Sequence, residues 1–163
     1  MDQLAAEYAP VGFRSVFIYT REAHPGEHLR HHTTFAEKLA QARRFREEQA
    51  VQREILVDAL DGACHRQYGA LPNMTWIVLR GGTIAYKAAW TDAGDVRDAM
   101  TGIARLAEMR RQGGRLAPFW TERLGYRLVD QAAFNAGLER NGPQAVTDFA
   151  AFVRRIPLDR LEE

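Results

Sequence analysis

The chain has 163 residues, 22 Lys plus Arg against 21 Asp plus Glu, and a single cysteine. That length supports one domain with a sizeable core plus an extension and is short for two ordinary domains. A net charge of +1 excludes general electrostatic capture of nucleic acid or of an anionic membrane surface, so the expected partner is a small-molecule substrate.

A lone Cys64 excludes an intrachain disulfide and a cysteine-only zinc ribbon, and it fits a reducing compartment. Residues 1–10 show no charged-then-apolar leader pattern, and no apolar run approaches the length of a membrane span. The expectation is a soluble, cytoplasmic protein.

In chain order, a short amphipathic stretch with Leu4, Ala5 and Tyr8 is stopped by Pro10, and residues 15–20 (SVFIYT) have the β-branched and aromatic content of a buried strand. Residues 21–33 carry Pro25 and Gly26 and read as loop. Thr34 and Glu37 form a capping box, followed by Phe35, Leu39, Ala42 and Phe45 at helical spacing, which predicts a helix to about residue 52. The apolar run at 55–60 (ILVDAL) predicts a second strand, parallel to the first through the crossover.

One or two helical turns are expected within 61–69. Residues 75–80 and 83–90 flank Gly81-Gly82 and predict a hairpin. Val96, Met100, Ile103, Leu106 and Met109 predict a helix over 92–112, closed by Gly113-Gly114. Helical patterns at 118–140 and 143–156 follow, each opened by proline, and their large apolar groups, Trp120 among them, require a surface to pack on. The domain reading is therefore residues 1–112 as the α/β domain and 113–163 as a helical extension packing on it or on a partner chain.

His24, His28, His31 and His32 follow the first parallel strand, and Cys64 and His65 follow the second. The carboxyl ends of adjacent parallel strands form the crevice where α/β sheets bind ligands, so these segments are expected on one rim. Glu22 and His24, two residues apart, project to one side of an extended segment, where the carboxylate orients the imidazole as a proton donor. His24, His28, His31, His32 and His65 also form a candidate site for zinc, iron or copper, against the alternative of solvated loop histidines; no HExxH or CxxC spacing is present. Cys64 is either a thiolate nucleophile near an imidazole or a small buried hydrophobe. Glu27, Asp58, Asp61 and Tyr68 are the candidate substrate contacts, with Asp58 read equally as a helix cap or loop anchor and as a catalytic base.

Residues 4–100 resemble the iodothyronine deiodinase family, in VFIYTREAHPGEH (16–28), ILVDALDG (55–62), YGALP (68–72), WIVLRGGTIAYK (76–87) and DVRDAM (95–100). The resemblance implies a thioredoxin-like fold of the peroxiredoxin and glutathione peroxidase type, with a parallel pair, a C-terminal hairpin and flanking helices. It also implies a site around Glu22, Ala23 and His24, near Glu27, with Tyr68 to Pro72 leading into the hairpin. Asn73 and Met74 depart from the family's Glu-Arg, and Ala88, Ala89 and Trp90 replace its glycine-rich turn.

The family's strand and Cys/Sec motif would precede Met1, and the corresponding strand lies between those at 15–20 and 75–80. Its absence from this sequence leaves two inner edges, for which the expected remedies are an upstream start, direct pairing of the edges, or cover by a second copy, a partner chain or the extension. Three functional readings result. One is a deiodinase-like enzyme with altered redox or dehalogenation chemistry using an external thiol reductant; the others are a metalloenzyme on the histidine rim and a non-catalytic partner-binding subunit.

Overall fold

The computed structural model describes residues 1–119 and 121–155. Trp120, read as a packing residue, and Ile156, read as the end of the last helix, lie outside the described residues. The protein is mixed α/β and divides into two compact units, Met1–Thr20 with Thr34–Thr121, and Arg21–Thr33 with Glu122–Glu163.

The first unit opens with α1 (Asp2–Tyr8), followed by a 3₁₀ turn (Ala9–Val11) that Pro10 and left-handed Gly12 close. Seven residues are too few for a helix to persist by propensity, so α1 depends on packing. Leu4 and Tyr8, four apart on one face, are buried with Val96 and Met100, four apart on α4 (Ala93–Arg111). Met1, Phe13, Ile77 and Tyr86 complete this cluster, and the Tyr8 and Thr101 hydroxyls lie 2.6 Å apart.

β1 (Val16–Tyr19) pairs in parallel with β2 (Glu54–Val57), Val16 opposite Glu54 and Tyr19 opposite Val57. The crossover is α2 (Phe35–Glu48), whose capping box forms as expected: Thr34 Oγ1 accepts from the Glu37 N–H at 3.2 Å, and the Glu37 carboxylate accepts from the Thr34 N–H at 3.1 Å. α2 ends earlier than residue 52, and Ala50, in the left-handed region at φ +48°, turns the chain toward β2.

Phe45 stacks on Phe17 at 5.3 Å and tilts against Tyr19 at 6.0 Å. Ala42 is buried and Leu39 half-buried as the stripe predicts, and its first position departs. Phe35 is exposed, whereas Lys38 is only 1% exposed and its ammonium donates to the Ala59 carbonyl at 2.9 Å. The lysine stem fills the apolar position while its head satisfies a carbonyl just past β2.

β3 (Thr75–Val78) and β4 (Ile84–Ala88) form the expected hairpin. Gly81 and Gly82, at φ +96° and +89°, shape the turn, which the Leu79 N–H closes on Thr83 O at 2.8 Å. Ile77 faces Tyr86 and Val78 faces Ile84, so Ala85 is the extra residue of a bulge in β4. Asp92 caps α4, and Gly113 and Gly114 end it as the sequence indicates, the Gly114 N–H reaching Met109 O at 2.9 Å.

The two ladders remain separate two-stranded sheets, so the direct pairing of β1 with β3 that the sequence allowed does not form. Instead α1 attaches to both. Its Asp2 carboxylate accepts from the Arg53 guanidinium and the Gln52 N–H beside β2, while Leu4 and Tyr8 join the cluster that Ile77 and Tyr86 of the hairpin pack against.

In the second unit, α5 (Gln131–Asn141) and α6 (Pro143–Val153) are joined by Gly142 at φ +115°. The helix expected from residue 118 therefore starts thirteen residues later, and residues 121–130 hold no regular element. Leu124, Tyr126 and Leu128 alternate with a period of two, Gly125 interrupts, and Asp130 supplies the cap by accepting from the Ala133 N–H at 2.9 Å. α6 ends at Val153, short of the expected 156. Among the described residues no helix is long and apolar enough to cross a membrane.

Met100 is expected to be the sensitive point of the α1–α4 cluster. Met100→Ala should cost about 2–4 kcal/mol of unfolding free energy, read as a lower urea midpoint at unchanged m-value.

Candidate functional site

The residues singled out from the sequence fall in both units: Asp58, Asp61, Cys64, His65 and Tyr68 in the first, and Glu22, His24, Glu27, His28, His31 and His32 in the second.

At the end of β2, the buried Asp58 carboxylate accepts from the Cys64 N–H at 3.0 Å and the His65 N–H at 2.9 Å, anchoring the short helix α3 (Ala63–Gln67). Burial alone would raise its pKa, but the N–H groups of His65, Cys64 and Ala59 and the Lys38 ammonium prevail, and the carboxyl sits below its ordinary value. Lys38 is lowered by its own burial, against the pull of Asp58 and Asp61.

Burial, then the Asp58 carboxylate, pushes the Cys64 thiol up, which opposes the thiolate nucleophile expected there. His65 Nε2 lies 2.9 Å from Leu71 O, an acceptor, so the ring donates and holds a loop to α3. Asp61 is exposed and bonded to Arg66, which holds its carboxyl low. Tyr68 packs edge-on against Trp76 at 5.3 Å. These are chiefly structural roles.

In the second unit the histidine loop is sewn to the junction of α5 and α6. The His28 N–H donates to Asn141 O at 3.0 Å, His28 Nδ1 lies 3.1 Å from Arg140 O, and Asn141 Nδ2 donates to His24 O at 2.7 Å. The Glu27 carboxylate accepts from the Gln144 N–H at 2.9 and 3.1 Å in the first turn of α6, and that bond is the main cause of its lowered pKa. Gly26 is required, since a Cβ there would sit 2.2 Å from Asn141 O. His28 also lines a shallow depression with Ala133, Ala136, Glu139 and Arg140.

The His24 ring lies edge-on to Phe134 at 5.5 Å and Phe149 at 5.4 Å, themselves 4.8 Å apart. Burial among these rings lowers the His24 pKa, so the imidazole is neutral at pH 7. Glu22 is half-buried in the same segment, His31 is exposed and His32 is buried.

Phe134, Phe149 and Asn141 were not read from the sequence as site residues. Asn141-Gly142 reads there only as a helix stop, although an Asn side chain at such a junction also offers donors to a neighbouring loop. Among the described residues, no group of three or more His, Cys, Asp and Glu is placed to hold a metal ion, so the histidine rim does not assemble as the expected metal centre. Compared with family models, curated proteins and solved structures, the chain matches none.

Two outcomes follow from these pKa directions. Asp58→Ala should lower stability by about 1–2 kcal/mol at neutral pH. Because the folded pKa is depressed, the Asp58 contribution is present above the unfolded carboxylate pKa and lost as pH falls through the folded value, so the variant's urea midpoints should vary less below about pH 4. His24 is depressed in the folded state, so its neutral form favours folding at high pH and protonation opposes it as pH falls below about 6.5. Its NMR titration should have a midpoint under that of free imidazole side chains, and His24→Phe should flatten the stability profile there.

Proposed function

We propose that the chain is a thioredoxin-like α/β protein of the deiodinase type that uses His24 in a thiol-dependent reductive dehalogenation of a small aromatic substrate. The observation that carries this reading is a neutral imidazole held edge-on by two phenyl rings, a setting suited to proton transfer beside an aromatic ring. The order β1-α2-β2 followed by β3-β4-α4, a parallel pair and then a hairpin and helix, supports the scaffold.

The electrons come from an external thiol, since Cys64 is held as a thiol. In the balanced reaction two thiols give up two electrons and become a disulfide, and the carbon–iodine bond is replaced by carbon–hydrogen as iodide leaves. His24 takes the proton of the incoming thiol and delivers it to that carbon; the second thiol proton goes to solvent. Glu22, two residues before His24, is the proposed orienting group.

A second reading, a partner-binding subunit, is favoured by the two ladders of the first unit that stay unjoined.

Iodide release from an iodophenol with dithiothreitol as donor tests the first reading. The native chain should exceed the thiol blank, His24→Ala should fall at least tenfold, and Cys64→Ser should retain activity. Equal rates for native and His24→Ala chains, or no release above the blank, would reject it.

A further inference from the structure

The four strands of the first unit differ in how their edges are guarded. β2 carries Glu54, and β4 carries Lys87 and the bulge at Ala85. Charge, bulges and cover are the devices by which sheets prevent further pairing. β1 (VFIY) and β3 (TWIV) hold no charge, no glycine and no proline, and each pairs along one edge only.

The faces beside these edges are apolar as well. Ile18 lies opposite Leu56 on the parallel ladder, Val78 lies opposite Ile84 on the hairpin, and all four are exposed. What fits such a place is an extended segment with apolar residues at every second position, so that its backbone continues the ladder while its side chains extend the apolar row.

The chain contains such a segment. Leu124, Tyr126 and Leu128 alternate along Leu124–Val129, are 78%, 90% and 99% exposed, and belong to no helix or strand. Six residues match the common strand length, and a period of two is the pattern of a half-buried strand. We infer that residues 122–129 of a second copy of this chain add as a β-strand to the unguarded edges of β1 and β3, making the protein a strand-exchanged homo-oligomer. This deepens the partner-binding reading by naming the partner, and it requires nothing of the chemistry at His24.

Light scattering coupled to size exclusion tests it, together with amide hydrogen exchange. Tyr126→Pro removes a strand N–H from the adding segment at an exposed position where it leaves packing intact, and Leu128→Lys disrupts the apolar row by another route. The native chain should be a dimer or larger, both variants should be monomeric at the same concentration, and amides in β1 and β3 should exchange at least tenfold faster in the variants. An oligomer unchanged by both substitutions would overturn residues 122–129 as the added strand while leaving a partner-binding subunit standing. A monomeric native chain, with its edge amides protected or not, would overturn the strand-exchanged homo-oligomer.

Discussion

A two-stranded ladder leaves alternate backbone groups on each strand without a strand partner and is marginal in water, so each ladder here persists only with a helix against it. Phe45 of α2 covers Phe17 and Tyr19 on the parallel pair, and α1 and α4 provide the cluster that Ile77 and Tyr86 of the hairpin pack against. α1 is common to both arrangements, through Asp2 on Arg53 and Gln52 at its start and through Leu4 and Tyr8 along its face. One seven-residue helix thus links two ladders that do not pair with each other.

The same accounting governs the histidine loop. Residues 21–33 form neither helix nor strand, so their backbone groups must be satisfied elsewhere; Asn141 meets the His28 N–H and the His24 carbonyl, while the His28 and Glu27 side chains in turn meet Arg140 O and the Gln144 N–H. Gly26 permits the close approach, and Glu27 occupies the first turn of α6, where the helix end favours a carboxylate. Groups that resemble catalysts in the sequence are here the fasteners of an irregular segment.

This separates what was legible in the sequence from what was not. The capping box at Thr34, the Gly81-Gly82 turn, the Asp92 cap and the Gly113 stop were readable because each is a local signal with its own steric or hydrogen-bonding cause. The burial of Lys38 was not, because it follows from the Ala59 carbonyl twenty-one residues away. The helix expected from Pro118 failed where counting apolar residues overrode their period, since Leu124, Tyr126 and Leu128 alternate. At the site, His24 was readable as a candidate, but its aromatic surroundings depend on Phe134 and Phe149, more than a hundred residues further along the chain.

The roles already taken by the polar groups also limit the chemistry. Asp58 is committed to two backbone N–H groups, His65 to a carbonyl, Glu27 to the start of α6 and His28 to the end of α5. Each would leave a backbone group unsatisfied if it moved to serve a reaction, at a cost of about 1–3 kcal/mol where the group is buried. Cys64, raised by burial and by Asp58, is a poor electron source at neutral pH. The His24 ring stands nearly perpendicular to the Phe134 and Phe149 rings, at 5.5 and 5.4 Å between centroids, and these contacts orient it. Beside these committed groups the chain offers one imidazole, neutral at pH 7 and set against an aromatic surface.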